Sequence, residues 1–303
     1  MRIAVFPGQG SQSPGFLAPW LDVDGARDRL AQYSEWSGVD LIAAGTEWDA
    51  DRIRDTQVAQ PLIVAASLLS WNALPGRDHV GGVAGHSVGE FAAAAAAGIL
   101  SEQAALTLVG IRGRAMAEAA AIAETGMSAV IGGDEASVLS RLDELDLAPA
   151  NYNGGGQLVV AGAIGALQAL AAEPVAGTRV IPLQVAGAFH TRYMAPAVET
   201  LRAAAAEVAA SEPAVAVWSN RDGRAIDDGS AFVDLLVDQV ASPVRWDLCM
   251  SAFADAGVSG IVELSPAGTL TGLAKRALRG VPAVAVKTPA DLDAAATLLA
   301  ADA

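Results

Sequence analysis

Cysteine, histidine and positive charge are all scarce in this 303-residue chain. A single cysteine, Cys249, leaves no internal disulfide to form and suits a reducing compartment. The three histidines, His79, His86 and His190, do not fall with Cys or Asp at ligand spacing, so no metal site is expected. Lys and Arg number 19 against 34 Asp and Glu, a net charge of −15, which argues against nucleic acid as a partner because phosphate binding needs a basic face. No apolar run reaches the length of a membrane span; the small-residue string Ala92 to Ala97 stops at Gly98. The apolar start, Met1 to Phe6, is broken at once by Pro7-Gly8 and does not read as a signal peptide. The expectation is a cytoplasmic, soluble protein with no membrane or nucleic-acid partner.

What remains is a globular composition, 52% hydrophobic and 17% charged. At this length one large domain or two unequal ones is expected. Strand-length apolar runs alternate with helix-like stretches, the pattern of an α/β protein with a parallel sheet. Ile3 to Phe6 reads as a buried strand, and Val58 to Leu74 as a helix with Pro61 in its first turn. Val80 to Gly85 reads as a glycine-rich strand and Val88 to Ala97 as a helix closed by Gly98. Ser101 then caps a helix to about Ala121. The middle changes rhythm. Strand Ser128 to Ile131, helix Asp134 to Leu145, strand Ala148 to Tyr152, a turn over Asn153 to Gly156, a strand to Ala161, a helix from Gly165 to Ala172 and a strand from Arg179 to Val185 make βαββαβ, the ferredoxin-like order. The expected division is a large domain of 1–124 with 191–303 and a small inserted domain of 125–190. The large domain resumes with a helix from Val198 to Ala210 and strands at Val215 to Trp218, Ile261 to Leu264 and Val284 to Val286.

Gly85-His86-Ser87-Val88-Gly89 has G-x-S-x-G spacing between a strand and a helix, the setting of a nucleophile elbow. A sharp turn exposes the Ser87 hydroxyl at a helix N-terminus, where free N–H groups hold a negative oxygen. The plain alternative is a strand–turn–helix junction with Ser as an N-cap. A serine nucleophile needs a base. His86 adjoins it in sequence and is expected to point away, and His79 belongs to the far end of the strand. His190, on the loop that returns between the domains, is the candidate. Projection of Ser101 to Ala120 on a helix puts Arg112 within the apolar face and Arg114 on the polar side. A guanidinium there needs a partner, either an acidic residue of the chain or a carboxylate that arrives with the substrate. Pro7-Gly8-Gln9-Gly10-Ser11-Gln12 is a tight loop or a second backbone donor facing the elbow. Gly154-Gly155-Gly156 lacks the following Lys-Ser/Thr of a phosphate loop. Lys275, Arg276 and Arg279 offer a local basic group, Lys275 and Arg279 on one helix face, which is also the ordinary placement of cations at a helix C-terminus. A serine esterase would need an acid for His190, for which Asp134, Asp143 and Asp146 stand in the right chain order.

Together, Phe6 to Gln12, Gln60-Pro61, Gly85 to Glu90, Arg112-Gly113, Asn153, Gly187 to His190, Gln239, Pro243 to Trp246 and Gly268-Thr269-Leu270 resemble the malonyl-CoA:acyl-carrier-protein transacylases and polyketide acyltransferase domains, nearly end to end. The resemblance implies an α/β-hydrolase-like core with a ferredoxin-like insert, with malonyl-CoA and an acyl carrier protein as partners and no cofactor of the enzyme's own. It implies Ser87 as nucleophile, His190 as base, the N–H groups of Gln9 and Val88 as oxyanion donors, and the Gln239 carbonyl orienting His190. It further implies Arg112 as the grip on the malonyl carboxylate, with Gln60, Asn153 and Phe189 lining the substrate, Phe189 crowding a methyl branch. Arg192, Lys275, Arg276 and Arg279 are candidates for contact with an acidic carrier protein.

Overall fold

The alternating pattern resolves into two sheets in the computed structural model, which describes residues 1–301. The strands are β1 (Arg2–Phe6), β2 (Gly82–Gly85), β3 (Thr125–Gly132), β4 (Ala148–Gly154), β5 (Gln157–Ala163), β6 (Thr178–Pro182), β7 (Ala216–Trp218), β8 (Ala225–Ile226), β9 (Gly260–Glu263) and β10 (Ala283–Ala285). The larger sheet has the order β10-β9-β1-β2-β7-β8, parallel except for β8. Its central strand β1 is buried from Ile3 through Phe6, which is why it reads as an unbroken apolar run rather than an alternating one. Phe6 pairs with Gly85, so the loops that leave the carboxyl ends of β1 and β2 emerge side by side. These are Pro7 to Gln12 and His86 to Val88, and His86 N–H donates to Phe6 O at 2.9 Å. A parallel sheet places its binding crevice at this end.

Two long helices, Thr56–Ala73 and Glu102–Ala120, pack against each other. The second begins as expected, with Ser101 Oγ accepting from Ala104 N–H. The first begins two residues earlier than expected, capped by Asp55, whose carboxylate accepts from Gln57 N–H at 3.1 Å. Pro61 is therefore the sixth helical residue and not in the first turn. Its missing N–H leaves a carbonyl one turn back without the usual partner. Another motif is structural: Glu263, fully buried at the end of β9, accepts from Leu270 N–H and Thr271 N–H at 2.9 and 2.8 Å. It thereby caps the helix Thr269–Ala277 from outside that helix.

The second sheet is antiparallel in the order β4-β5-β3-β6, with the helices Glu135–Glu144 and Ile164–Ala172 in the β3-to-β4 and β5-to-β6 connections. Val130, Val138, Leu142, Val160 and Leu170 form its own core. Several boundaries differ from expectation, β3 among them, which begins at Thr125 rather than Ser128. Asn153 lies in β4 rather than in a turn, β6 stops at Pro182, and the helix expected at Val198 to Ala210 runs Ala195–Ala205. The small sheet is tied at β4 to the loop before the helix Trp246–Asp255, where Tyr152 N–H donates to Val244 O and Val244 N–H to Ala150 O, both at 2.9 Å. That joint brings the Asn151 to Asn153 stretch to the crevice. No helix among the described residues is long and apolar enough to cross a membrane.

Candidate active site

The turn after β2 is built by its glycines. A Cβ on Gly85 would lie 2.0 Å from the Gly89 carbonyl carbon, and one on Gly89 would lie 2.2 Å from Phe6 O. Only hydrogen fits at either end, so the chain reverses tightly enough to force Ser87 to φ +52°, a left-handed conformation that costs a non-glycine residue. Asn220, just after β7, pins that conformation: its Oδ1 accepts from Ser87 N–H and its Nδ2 donates to Gly85 O, both at 2.7 Å. The helix Gly89–Ala96 follows immediately. Ser87 thus has the strained turn geometry of an elbow and is not an ordinary N-cap.

His190 reaches this serine from the irregular segment after β6. Its Nε2 lies 2.7 Å from Ser87 Oγ and its Nδ1 lies 2.8 Å from the Gln239 carbonyl. Because a carbonyl only accepts, Nδ1 carries the hydrogen and the Nε2 lone pair faces the hydroxyl. Burial, reinforced by the nearby Arg112 charge, lowers the His190 pKa to about 3, so the ring is neutral and able to receive a proton. Among the described residues no carboxylate occupies the third place of a hydrolase triad, which the Gln239 carbonyl takes instead. Asp134 caps its own helix at Ser137, and Asp146 pairs with Arg192. His86 engages Asn153 Oδ1 through Nε2 at 2.9 Å and stacks edge-on against Trp246, while His79 is exposed in a turn ahead of β2.

A cavity of about 80 Å³ lies against the pair, lined among others by Gln9, Gln60, Val88, Arg112, Met116 and Phe189. Among the described residues, neither the Gln9 nor the Val88 N–H donates to a protein acceptor. Both are therefore available to an oxyanion, Val88 at a helix N-terminus and Gln9 in the glycine loop that the β1–β2 register sets beside it. A second cavity, of about 420 Å³, adjoins at Gln9, Leu183 and Val185.

Arg112 is 1% exposed, as its place in the apolar face required. Its Nη1 donates to Gln60 Oε1 at 2.6 Å and its Nη2 to Gln239 Oε1 at 2.9 Å, while Nε has no partner. No carboxylate lies within 4.0 Å of the guanidinium among the described residues, so of the two partners the sequence allowed, a direct ion pair within the chain is not the one found. Burial lowers its pKa to about 10, opposed by the charge of Glu90, and it stays cationic at neutral pH. Arg114 is exposed, on the polar side.

Sequence reasoning gave no site role to the Gln239 side chain, Asn220, Glu90 or Met116. The Gln239 amide joins Arg112 to Glu90 and to the Ser87 carbonyl, in addition to the backbone contact with His190. Ser219-Asn220, a polar pair at the carboxyl end of an apolar strand, was the one available signal for Asn220. Among the surface cations, Arg192 pairs with Asp146 and lies over the Tyr193 ring, and Arg276 donates to Gln157 Oε1 at 3.0 Å. The last helix turn closes at Ala277, so Arg279 lies beyond it and does not share a helix face with Lys275 as expected; both are exposed.

Known proteins resemble this chain over nearly its whole length. The chain is 53% identical to the malonyl CoA-acyl carrier protein transacylase of Mycobacterium tuberculosis, over 96% of its length and 98% of the relative's. It is 34% identical to the enzyme of the same name from Escherichia coli, over 97% and 98%. The crystal structure of MCAT from Mycobacterium tuberculosis superposes with a TM-score of 0.94 at 52% identity, covering 98% of this chain and all of that one. A complex of a type II PKS acyl-carrier protein with its malonyl-transacylase matches with a TM-score of 0.90 at 31% identity, over 98% and 99%. The family model of the acyl transferase domain matches residues 4–294, and this chain belongs to that family.

Proposed function

We propose that this chain is a malonyl-CoA:acyl-carrier-protein transacylase that carries malonyl on Ser87 between the two thiols, supplying extender units for fatty acid or polyketide synthesis. The observation that carries this reading is Arg112. It is a buried cation beside the nucleophile, held by two neutral amide oxygens, with its charge left for a carboxylate that arrives on the acyl group.

Ser87 Oγ attacks the thioester carbonyl of malonyl-CoA as its proton passes to His190 Nε2. The resulting oxyanion takes the N–H groups of Gln9 and Val88. Collapse expels the CoA thiolate, which receives the proton from His190. The thiol of the carrier's phosphopantetheine arm then loses its proton to His190 and attacks the malonyl ester, and Ser87 Oγ recovers the proton as it leaves. The Gln239 carbonyl keeps the imidazole in the required tautomer in place of a triad acid. Gln60 steadies Arg112, Asn153 holds His86 beside the pocket, and the Phe189 ring narrows it against a branched acyl group. The larger cavity at Gln9 gives a long thioester arm room to reach Ser87.

The same reading divides the chain into an α/β-hydrolase-like unit, 1–124 with 191–303, and a ferredoxin-like insert, 125–190. The order β4-β5-β3-β6 and the separate core of that sheet support it. A cytosolic location accords with the lone, buried Cys249. Exposed Lys275, Arg276 and Arg279, with Arg192, are the cations proposed to meet an acidic carrier protein.

The test is transfer. Enzyme preloaded from malonyl-CoA and freed of CoA is mixed with a holo carrier protein, and the masses of both proteins are followed. Malonyl should leave the enzyme and appear on the carrier in equal amount, and methylmalonyl-CoA should preload more slowly than malonyl-CoA. Release of free malonate with an unmodified carrier would identify a hydrolase instead.

A further inference from the structure

Glu90 is the deeply placed acidic group in the site that the chemistry above leaves unused. It stands in the first turn of the helix Gly89–Ala96 and is 1% exposed. Burial of a carboxylate is costly unless both oxygens are satisfied. Here Oε1 accepts from Asn220 N–H at 2.6 Å, and Oε2 accepts from Gln239 Nε2. The helix N-terminus adds a favourable field. Burial still pushes its pKa up to about 8, against the pull of these hydrogen bonds and of Arg112.

The Gln239 amide is trapped between two groups of opposite character. A guanidinium only donates, so Oε1 of the amide must face Arg112, which leaves Nε2 toward Glu90, whose Oε2 accepts from it. In that orientation Nε2 also donates to Ser87 O at 3.1 Å, and the same residue's main-chain carbonyl receives His190 Nδ1–H. One side chain therefore touches the backbone of the nucleophile, the carboxylate-binding cation and the anchor of the base. A direct contact between Glu90 and Arg112 would occupy the guanidinium that the substrate needs. An amide between them compensates the buried cation without covering it.

We infer that Glu90 is a positioning residue which, through the Gln239 amide, aims Arg112 at the acyl carboxylate and leaves its remaining donors uncovered. The inference rests on the carboxylate-recognition reading of Arg112 and adds a residue that touches no substrate atom. It identifies the Gly85-to-Glu90 segment as two devices in sequence, a turn that presents Ser87 and a carboxylate that fixes the direction of the amide behind it.

Glu90→Gln keeps the shape but can offer an NH₂ to Gln239, which allows the amide to turn its own NH₂ toward Arg112. Gln239→Leu removes the relay and leaves both Glu90 and the 239 carbonyl in place. The measurement, made above pH 8 where Glu90 is a carboxylate, is kcat/KM for malonyl-CoA and for acetyl-CoA in wild type, the two single variants and the double variant. Thermal unfolding is used to confirm that each is folded. The malonyl-to-acetyl ratio should fall roughly tenfold in each single variant and no further in the double, the non-additivity expected of residues acting through one another. A general loss of structure would lower both substrates together and leave the ratio unchanged. An unchanged ratio in folded Glu90→Gln overturns the inference, as do losses that multiply in the double variant. Should Glu90→Gln fail to fold, Gln239→Leu alone decides, since a wild-type ratio there removes the relay. A wild-type enzyme with no preference for malonyl over acetyl fails the carboxylate reading itself, and does so before any variant is compared.

Discussion

Replacement of His190 by Ala is expected to lower kcat/KM for malonyl transfer by roughly 10²- to 10⁴-fold, the usual contribution of a positioned general base. In the proposed mechanism His190 moves a proton in both half-reactions, and neither His79 nor His86 is placed to substitute for it. The Ser87 hydroxyl would remain, as would the Gln9 and Val88 N–H groups, so a residual rate from oxyanion stabilisation should persist. The cost to folding should be small by comparison, about 1–3 kcal/mol for leaving the buried Gln239 carbonyl without its donor. Stopped-flow release of CoA measures the first half-reaction alone. A loss of less than tenfold would mean that another group takes the serine proton.

Arg112→Ala is expected to lower kcat/KM for malonyl-CoA by about 10²- to 10³-fold, equal to about 3–4 kcal/mol, the range for truncating one partner of a buried charge pair. With acetyl-CoA, which brings no carboxylate, the loss should be far smaller. Equal losses would count against carboxylate recognition and point to a packing role. The same variant tests the electrostatics of the base. The Arg112 charge disfavours imidazolium, second only to burial, in lowering the His190 pKa to about 3. A base that must be unprotonated loses activity as pH falls through its pKa, so the acid limb of kcat/KM, which reports the free enzyme, should lie far below the ordinary histidine range in wild type. In Arg112→Ala that limb should move to higher pH. In wild type, a malonyl carboxylate neutralising Arg112 on binding would relieve the same pressure, so the substrate itself would strengthen its base.

The fold was legible wherever burial and period agreed. β1 read correctly because a central parallel strand is apolar on both faces, and the βαββαβ order of the middle segment followed from short apolar runs punctuated by Gly and Pro. Ends were less legible, because caps decide them: Asp55 starts a helix two residues before its apolar pattern does, which moves Pro61 into the interior. In the site, Ser87 and Arg112 announced themselves by local rules, a glycine-flanked turn and a cation on an apolar face. Their relation to each other did not. Gln239, Asn220 and Glu90 are brought together from three separated stretches of chain, and a lone Gln or Asn carries no periodic or charge signal. Lys275 and Arg279 failed as a pair because the helix stops between them at Ala277.

That Ser87 carries an acyl group bearing its own carboxylate can be tested without a carrier protein. Wild-type protein and Ser87→Ala are each mixed with malonyl-CoA and their intact masses recorded after CoA is removed. The geometry predicts one malonyl group on wild type, mapped by peptide mass to Ser87, and none on the variant. CoA release without an adduct on wild type, or an adduct that survives in Ser87→Ala, would contradict it.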